Sequence, residues 1–114
     1  MMTAETKVKK IVSTYLETLE IELDKVNLGV YKVMFVPVGY GKRNQLDFTL
    51  CLFGQFVAIE TKAGKNWLTP LQRVTCRSIL QAGGKVFIVS GGEGLDAFKN
   101  WVSKTMQGFV APSK

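Results

Sequence analysis

The chain has 114 residues, 15 Lys+Arg against 9 Asp+Glu, a formal charge of +6 and no histidine. That length supports a single hydrophobic core, so one domain over 1–114 is expected. Without histidine, His-based triads and His-ligated zinc are excluded. Catalysis would have to use carboxylates, Lys, Tyr, Cys or a metal held by oxygen.

The segment from Thr3 to Lys25 predicts a helix. Val8, Ile11, Val12, Tyr15, Leu16, Leu19 and Leu23 recur at three- and four-residue steps and form one apolar stripe. Its lysines come early and its acids late, an order that opposes the helix dipole. Asn27-Leu28-Gly29 reads as a stop and turn. Val30 to Val38 is β-branched and aromatic, so it reads as a strand, with Pro37 near its end. A basic, glycine-containing loop follows, Gly39 to Asn44. Leu46 to Phe53 predicts a second strand and Phe56 to Lys62 a third, joined by a tight turn at Gly54-Gln55.

Thr69-Pro70-Leu71-Gln72 announces another helix, with Thr69 at the N-cap, Pro70 at N1 and Gln72 closing a capping box. The helix should run to about Ala82 and end on Gly83-Gly84. Lys85 to Ser90 is short and nearly all apolar, which predicts a central strand buried on both faces. Leu95, Phe98, Trp101, Val102 and Met106 mark a last helix, and 107–114 reads as a frayed tail. The helix between the third and fourth strands predicts a parallel crossover. The fold class expected is α/β: an αβββαβ core, a mixed four-stranded sheet flanked by helices, and an extra C-terminal helix.

Cys51 and Cys76 have no CxxC spacing and read as small buried thiols in a reducing compartment. No apolar run approaches membrane length, and the polar, then basic N-terminus does not resemble a signal peptide. A cytoplasmic protein without a membrane partner is therefore expected. The pI of about 9.5 favours a polyanion as partner.

The chemistry is concentrated in the middle. Between Gly41 and Lys85 there are seven basic residues and only two acids, Asp47 and Glu60. Both acids lie inside apolar strands, where a carboxylate is costly unless paired or metal-bound. Strand alternation puts Glu60 and Lys62 on one face, about 7 Å apart along the chain. A hairpin would bring Asp47 across to Glu60. Two carboxylates and an ammonium would then share a patch. That set suits metal-assisted phosphodiester cleavage, because carboxylate oxygens are natural ligands for Mg²⁺ or Mn²⁺. Plainer roles stand beside this one: edge-strand charges that discourage aggregation, or an ordinary surface ion pair.

Asp47 followed by Glu60-Thr61-Lys62 is the D…ExK pattern of the PD-(D/E)xK nuclease superfamily. Gly39-Tyr40-Gly41, Gly54 to Lys62, Leu68-Thr69-Pro70-Leu71-Gln72 and Ala82-Gly83-Gly84 together resemble its virus-type replication-repair nuclease (VRR-NUC) domain. The resemblance covers roughly residues 39–90. Leu46 stands where family members usually have Pro before the aspartate.

The resemblance implies the restriction-endonuclease-like core and a metal-dependent DNA endonuclease. It makes Asp47 and Glu60 ligands of Mg²⁺ or Mn²⁺, Lys62 the catalytic lysine and Gln72 the glutamine facing the site. Glu5 matches a first-helix glutamate that can complete the ligand set. It also implies homodimers acting on branched, Holliday-junction-like DNA. Stand-alone VRR-NUC domains come chiefly from bacteriophages, which would place such a protein in the host cytoplasm, and related modules serve in DNA repair. Lys42, Arg43, Lys65, Arg73 and Arg77 are candidate phosphate contacts. Tyr40 and Trp67 are candidates for stacking, and Thr69 for offering a helix start to a phosphate. The alternative function is a non-catalytic nucleic-acid-binding or assembly module that keeps the nuclease fold. A third is hydrolysis of a smaller phosphate ester.

Overall fold

The computed structural model describes residues 3–34 and 46–110. Among these residues the order is α1 (Ala4–Asp24), β1 (Val30–Met34), β2 (Phe48–Leu52), β3 (Gln55–Thr61), α2 (Pro70–Gln81), β4 (Lys85–Val89) and α3 (Gly92–Val110). The expected succession of helices and strands is the one observed. Residues 35–38 of the expected first strand, Pro37 included, and the glycine-basic loop after them lie outside the described residues.

The helix ends follow from local chemistry. The Thr3 hydroxyl accepts from the Thr6 amide at 3.1 Å and caps α1. At the other end Asn27 takes a left-handed conformation, and the Leu28 amide donates back to the Leu23 carbonyl at 2.9 Å. The expected stop at Asn27-Leu28-Gly29 is present, with Asn27 as its left-handed residue. Both halves of the expected capping box are present at α2: Gln72 N–H donates to Thr69 Oγ1 at 3.1 Å and Thr69 N–H to Gln72 Oε1 at 3.0 Å. Gly83 is left-handed, and the Gly84 amide closes the motif on the Ile79 carbonyl at 2.9 Å.

The sheet is mixed, in the order β1-β2-β3-β4. β1–β2 and β2–β3 are antiparallel, and β3–β4 is parallel across the α2 crossover. This corrects one expectation. β4 is an edge strand in this sheet, and the strand buried along most of its length is β3. β4 reads apolar because helices lie over both its faces, Phe87 and Val89 on the α3 side, Val86 and Ile88 on the α2 side. Its open flank leaves Val86, Phe87 and Ile88 only half-buried.

A second correction concerns the hairpin turn. β2 ends at Leu52, which pairs with Gln55, so the turn residues are Phe53 and Gly54. Both have positive φ, 56° and 74°, as a two-residue hairpin turn of the primed type requires. A phenylalanine is unfavourable there. Its ring is held by aromatic partners from α3, Trp101 at 6.0 Å and Phe109 at 5.3 Å between centroids.

The main core lies between the sheet and the α1/α3 layer. Val12, Leu16, Leu19 and Leu23 of α1 meet Phe48, Leu50, Leu52, Val57 and Ile59 of the sheet and Leu95, Phe98 and Val102 of α3. The expected α1 stripe holds except at Ile11, which sits on the flank and is exposed. α3 continues as helix to Val110, so 107–110 of the expected frayed tail is ordered; 111–114 lies outside the described residues. On the other face α2 covers β3 and β4 through Ala58, Cys76, Ile79, Val86 and Ile88. It does not reach β1 and the adjoining part of β2. Tyr31 and Cys51 there are exposed, so of the two cysteines only Cys76 is buried as expected.

Gly94 marks the closest approach of α3 to β4. A Cβ at that position would collide with the Ile88 carbonyl oxygen and would sit 2.9 Å from Val89 Cα, both backbone atoms with little room to yield. Gly108, in the same helix, faces open space. Gly94→Ala should lose about 3 kcal/mol of stability. Gly108→Ala should gain about 0.5 kcal/mol through helix propensity. Urea unfolding of the two variants checks both signs.

Candidate active site

The β2–β3 register builds the site. Phe48 pairs with Ile59, so one step beyond, Asp47 faces Glu60. With the turn at Gly54-Gln55 the same counting would have set Asp47 against Lys62. The observed turn therefore sets the two carboxylates directly opposite each other. Asp47 and Glu60 are 8% and 3% exposed, so their polar atoms need partners inside the protein.

Those partners are specific. The Asp47 amide donates to Glu60 Oε1 at 3.1 Å. The Thr61 amide donates to Asp47 Oδ2 at 2.9 Å, and the Thr61 hydroxyl donates to the same oxygen. Each carboxylate thus accepts a backbone N–H from the other's strand. Glu60 Oε2 takes the Gln72 side-chain amide at 2.9 Å and lies 3.2 Å from Lys62 Nζ. Gln72 holds Glu60 through Nε2 while its Oε1 caps α2. Gln72 thus caps α2 and reaches Glu60 with the same side chain.

Lys62 is also buried, with its side chain 9% exposed. Its amide donates to the Val89 carbonyl at 2.9 Å, continuing the β3–β4 ladder by one residue. Asp47, Glu60, Lys62 and Gln72 therefore converge as expected. Burial raises the Glu60 pKa above the usual carboxylate range, and the nearby Asp47 charge raises it further. Lys62 and the Asp47 amide pull it partly back. The Glu60 charge in turn adds to burial in pushing the Cys76 thiol up.

The first helix arrives less directly. Lys9 Nζ sits 3.7 Å from Asp47 Oδ1 and 3.8 Å from Glu5 Oε2. Glu5 is thus linked to Asp47 through the Lys9 ammonium. No group of three or more Cys, Asp or Glu side chains among the described residues is arranged to hold a metal. Asp47 and Glu60 remain a two-carboxylate donor set of hard oxygens. That fits Mg²⁺, which commonly takes one or two carboxylates and keeps several waters.

The remaining candidates divide. Lys65 lines an open cleft with Glu5 and Lys9. Trp67 is exposed. Thr69 is exposed at the start of α2. Arg73 and Arg77 lie one turn apart on α2 and line a shallow groove with Leu68 and Cys76. Tyr40, Lys42 and Arg43 lie outside the described residues. Two neighbours of the carboxylates were missed. Thr61 could have been suspected from its place, a hydroxyl inside ExK on the core side of β3. Lys9 carries no local signal, since only the docking of α1 against the sheet brings it to Asp47.

Thr61→Val keeps the shape and the amide bond but removes the hydroxyl donor from Asp47. It should cost about 1.5 kcal/mol, read by urea unfolding. A second expectation follows from the raised Glu60 pKa. The folded protein binds this proton more tightly than the unfolded chain. Glu60's contribution to stability is therefore fully present below the unfolded carboxylate pKa and is lost as pH rises through the folded one. In chelator, the stability of Glu60→Gln relative to wild type should shift in the variant's favour as pH rises across that window, then level off. Denaturant melts from pH 4 to 8 measure it. No protein-family model matches this chain, and no curated protein matches it in sequence.

Proposed function

We propose that this protein is a divalent-metal-dependent DNA endonuclease of the PD-(D/E)xK type, with the restriction-endonuclease-like core and the VRR-NUC pattern. The observation that carries the reading is the meeting of buried Asp47, Glu60 and Lys62 with the half-buried Gln72. Two adjacent buried carboxylates raise each other's cost, and the Lys62 and Lys9 ammonium groups offset part of it. A divalent cation at the pair would relieve the rest. The mixed sheet with its parallel crossover is compatible with that core.

Mg²⁺ or Mn²⁺ held by Asp47 and Glu60 would supply Lewis acidity toward the phosphate and a water of lowered pKa. The chain's own residues set the geometry. The Thr61 amide and hydroxyl fix one oxygen of Asp47 and aim the other outward. Gln72 and the Asp47 amide each hold one Glu60 oxygen, so that carboxylate cannot rotate away. Lys62, beside Glu60, can donate to the attacking water or to the phosphate oxygens as negative charge develops. The phosphate backbone would be met by Lys65, Arg73 and Arg77. A cytoplasmic setting belongs to the same proposal. Among the described residues no helix is long and apolar enough to cross a membrane. The branched-DNA preference and the two-fold dimer rest on the sequence resemblance alone.

The test is cleavage of duplex, flapped and four-way DNA in Mg²⁺ or Mn²⁺. Wild type should cut, and Asp47→Ala and Lys62→Ala should each lose at least about a hundredfold in rate. Binding without cutting in either metal would favour the non-catalytic module. Variants as active as wild type would place the activity elsewhere. Turnover of small phosphate esters with indifference to DNA would favour the phosphoesterase alternative.

A further inference from the structure

We propose that Lys9 is a phosphate-contacting residue of this site, held against Asp47 until a divalent cation displaces it, so that one ammonium couples metal loading to DNA binding. The inference rests on the nuclease reading above.

Three observations lead to it. Lys9 Nζ faces Asp47 Oδ1 at 3.7 Å. Among the described residues no hydrogen bond reaches that oxygen, whereas Asp47 Oδ2 is committed to Thr61 and both Glu60 oxygens are committed to donors. Of the four carboxylate oxygens, Asp47 Oδ1 is thus the one with no hydrogen-bond donor, and Lys9 stands beside it. Secondly, Lys9 is able to leave. Its side chain is 40% exposed and its two ion pairs are long, 3.7 and 3.8 Å. Lys62 differs on each count, being buried and 3.2 Å from Glu60. Thirdly, Lys9 has a place to go. An open cleft of about 530 Å³ lies between the first turns of α1 and the segment 63–66, with Lys9 and Glu5 on one side and Lys65 and Asn66 on the other.

A dication at Asp47 Oδ1 and the Lys9 ammonium cannot both stay within a few ångströms without mutual repulsion. The ammonium then swings on its four-carbon stem toward the cleft. A strand phosphate entering there would meet two ammonium groups, Lys9 and Lys65, whose charge exceeds that of the one carboxylate lining the cleft, Glu5. In the metal-free protein the same ammonium partly neutralises Asp47. Removing it should help the metal and harm the DNA contact. A purely structural ion pair would not have these opposite effects.

The experiment titrates Mn²⁺ by calorimetry into wild type, Lys9→Gln, Lys9→Arg and Asp47→Asn without DNA. It also measures duplex DNA binding in Ca²⁺ across a salt series. Lys9→Gln should bind Mn²⁺ roughly threefold more tightly, the size expected on removing a half-exposed like charge. Its log–log salt slope for DNA should be shallower by about 0.9, the loss of one phosphate contact. Lys9→Arg should keep wild-type values of both. Asp47→Asn should lose Mn²⁺ binding. If either quantity is unchanged in Lys9→Gln while Asp47→Asn still loses Mn²⁺, the coupling is overturned and the nuclease reading stands. If Asp47→Asn binds Mn²⁺ as well as wild type, the nuclease reading fails and takes the Lys9 proposal with it.

Discussion

The pairing of β2 with β3 is the constraint on which the rest of the structure depends. It is fixed at one end by the two-residue turn at Phe53 and Gly54, and along its length by Phe48 against Ile59 and Leu50 against Val57. Moving the turn by one residue slides the partner strand by two. Asp47 would then lose Glu60 and Thr61 together. The turn is in turn secured from outside the hairpin. Trp101 and Phe109 of α3 pack on Phe53, and Gln55 Nε2 donates to the Gly83 carbonyl at the end of α2. Two helices on opposite faces of the sheet thus hold one register.

The site extends that pairing by other means. β2 begins at Phe48, and beyond it the strands are joined by side chains rather than backbone alone. The two carboxylates take over as acceptors for the amides that the ladder no longer pairs. This explains how two buried acids are tolerated side by side. Each is part of the hydrogen-bonding framework, and Glu60 has in addition a buried ammonium. Gln72 ties the same carboxylate to the first turn of α2, so the helix start and the site are oriented together.

Much of this was legible in the sequence, where local chemistry decides the outcome. Thr69, Pro70 and Gln72 encode a helix start in four residues, and the structure shows both hydrogen bonds of the box. Alternation in β3 gave the shared face of Glu60 and Lys62. The misplaced features are those set by tertiary contacts. Phe53 in a left-handed conformation is disfavoured locally and becomes acceptable only with α3 packed on it. The apolar run of β4 reports covering helices, which sequence cannot distinguish from flanking strands. Cys51 alternates as a strand residue should, yet whether its face is covered depends on how far α2 reaches. Lys9 was invisible because 37 residues separate it from Asp47.

That separation has a consequence for how the site holds together in time. Asp47, Glu60, Thr61 and Gln72 close on one another across 12 to 14 residues. Lys9 reaches Asp47 across a loop about three times longer, closed by the docking of α1 through Val12, Leu16, Leu19 and Leu23. Its half-exposed ion pairs add little to that docking. The inner ring of carboxylates is held by contacts that do not involve α1. Local opening at the N-terminal end of α1 would therefore release Lys9 before it disturbs the carboxylate pair.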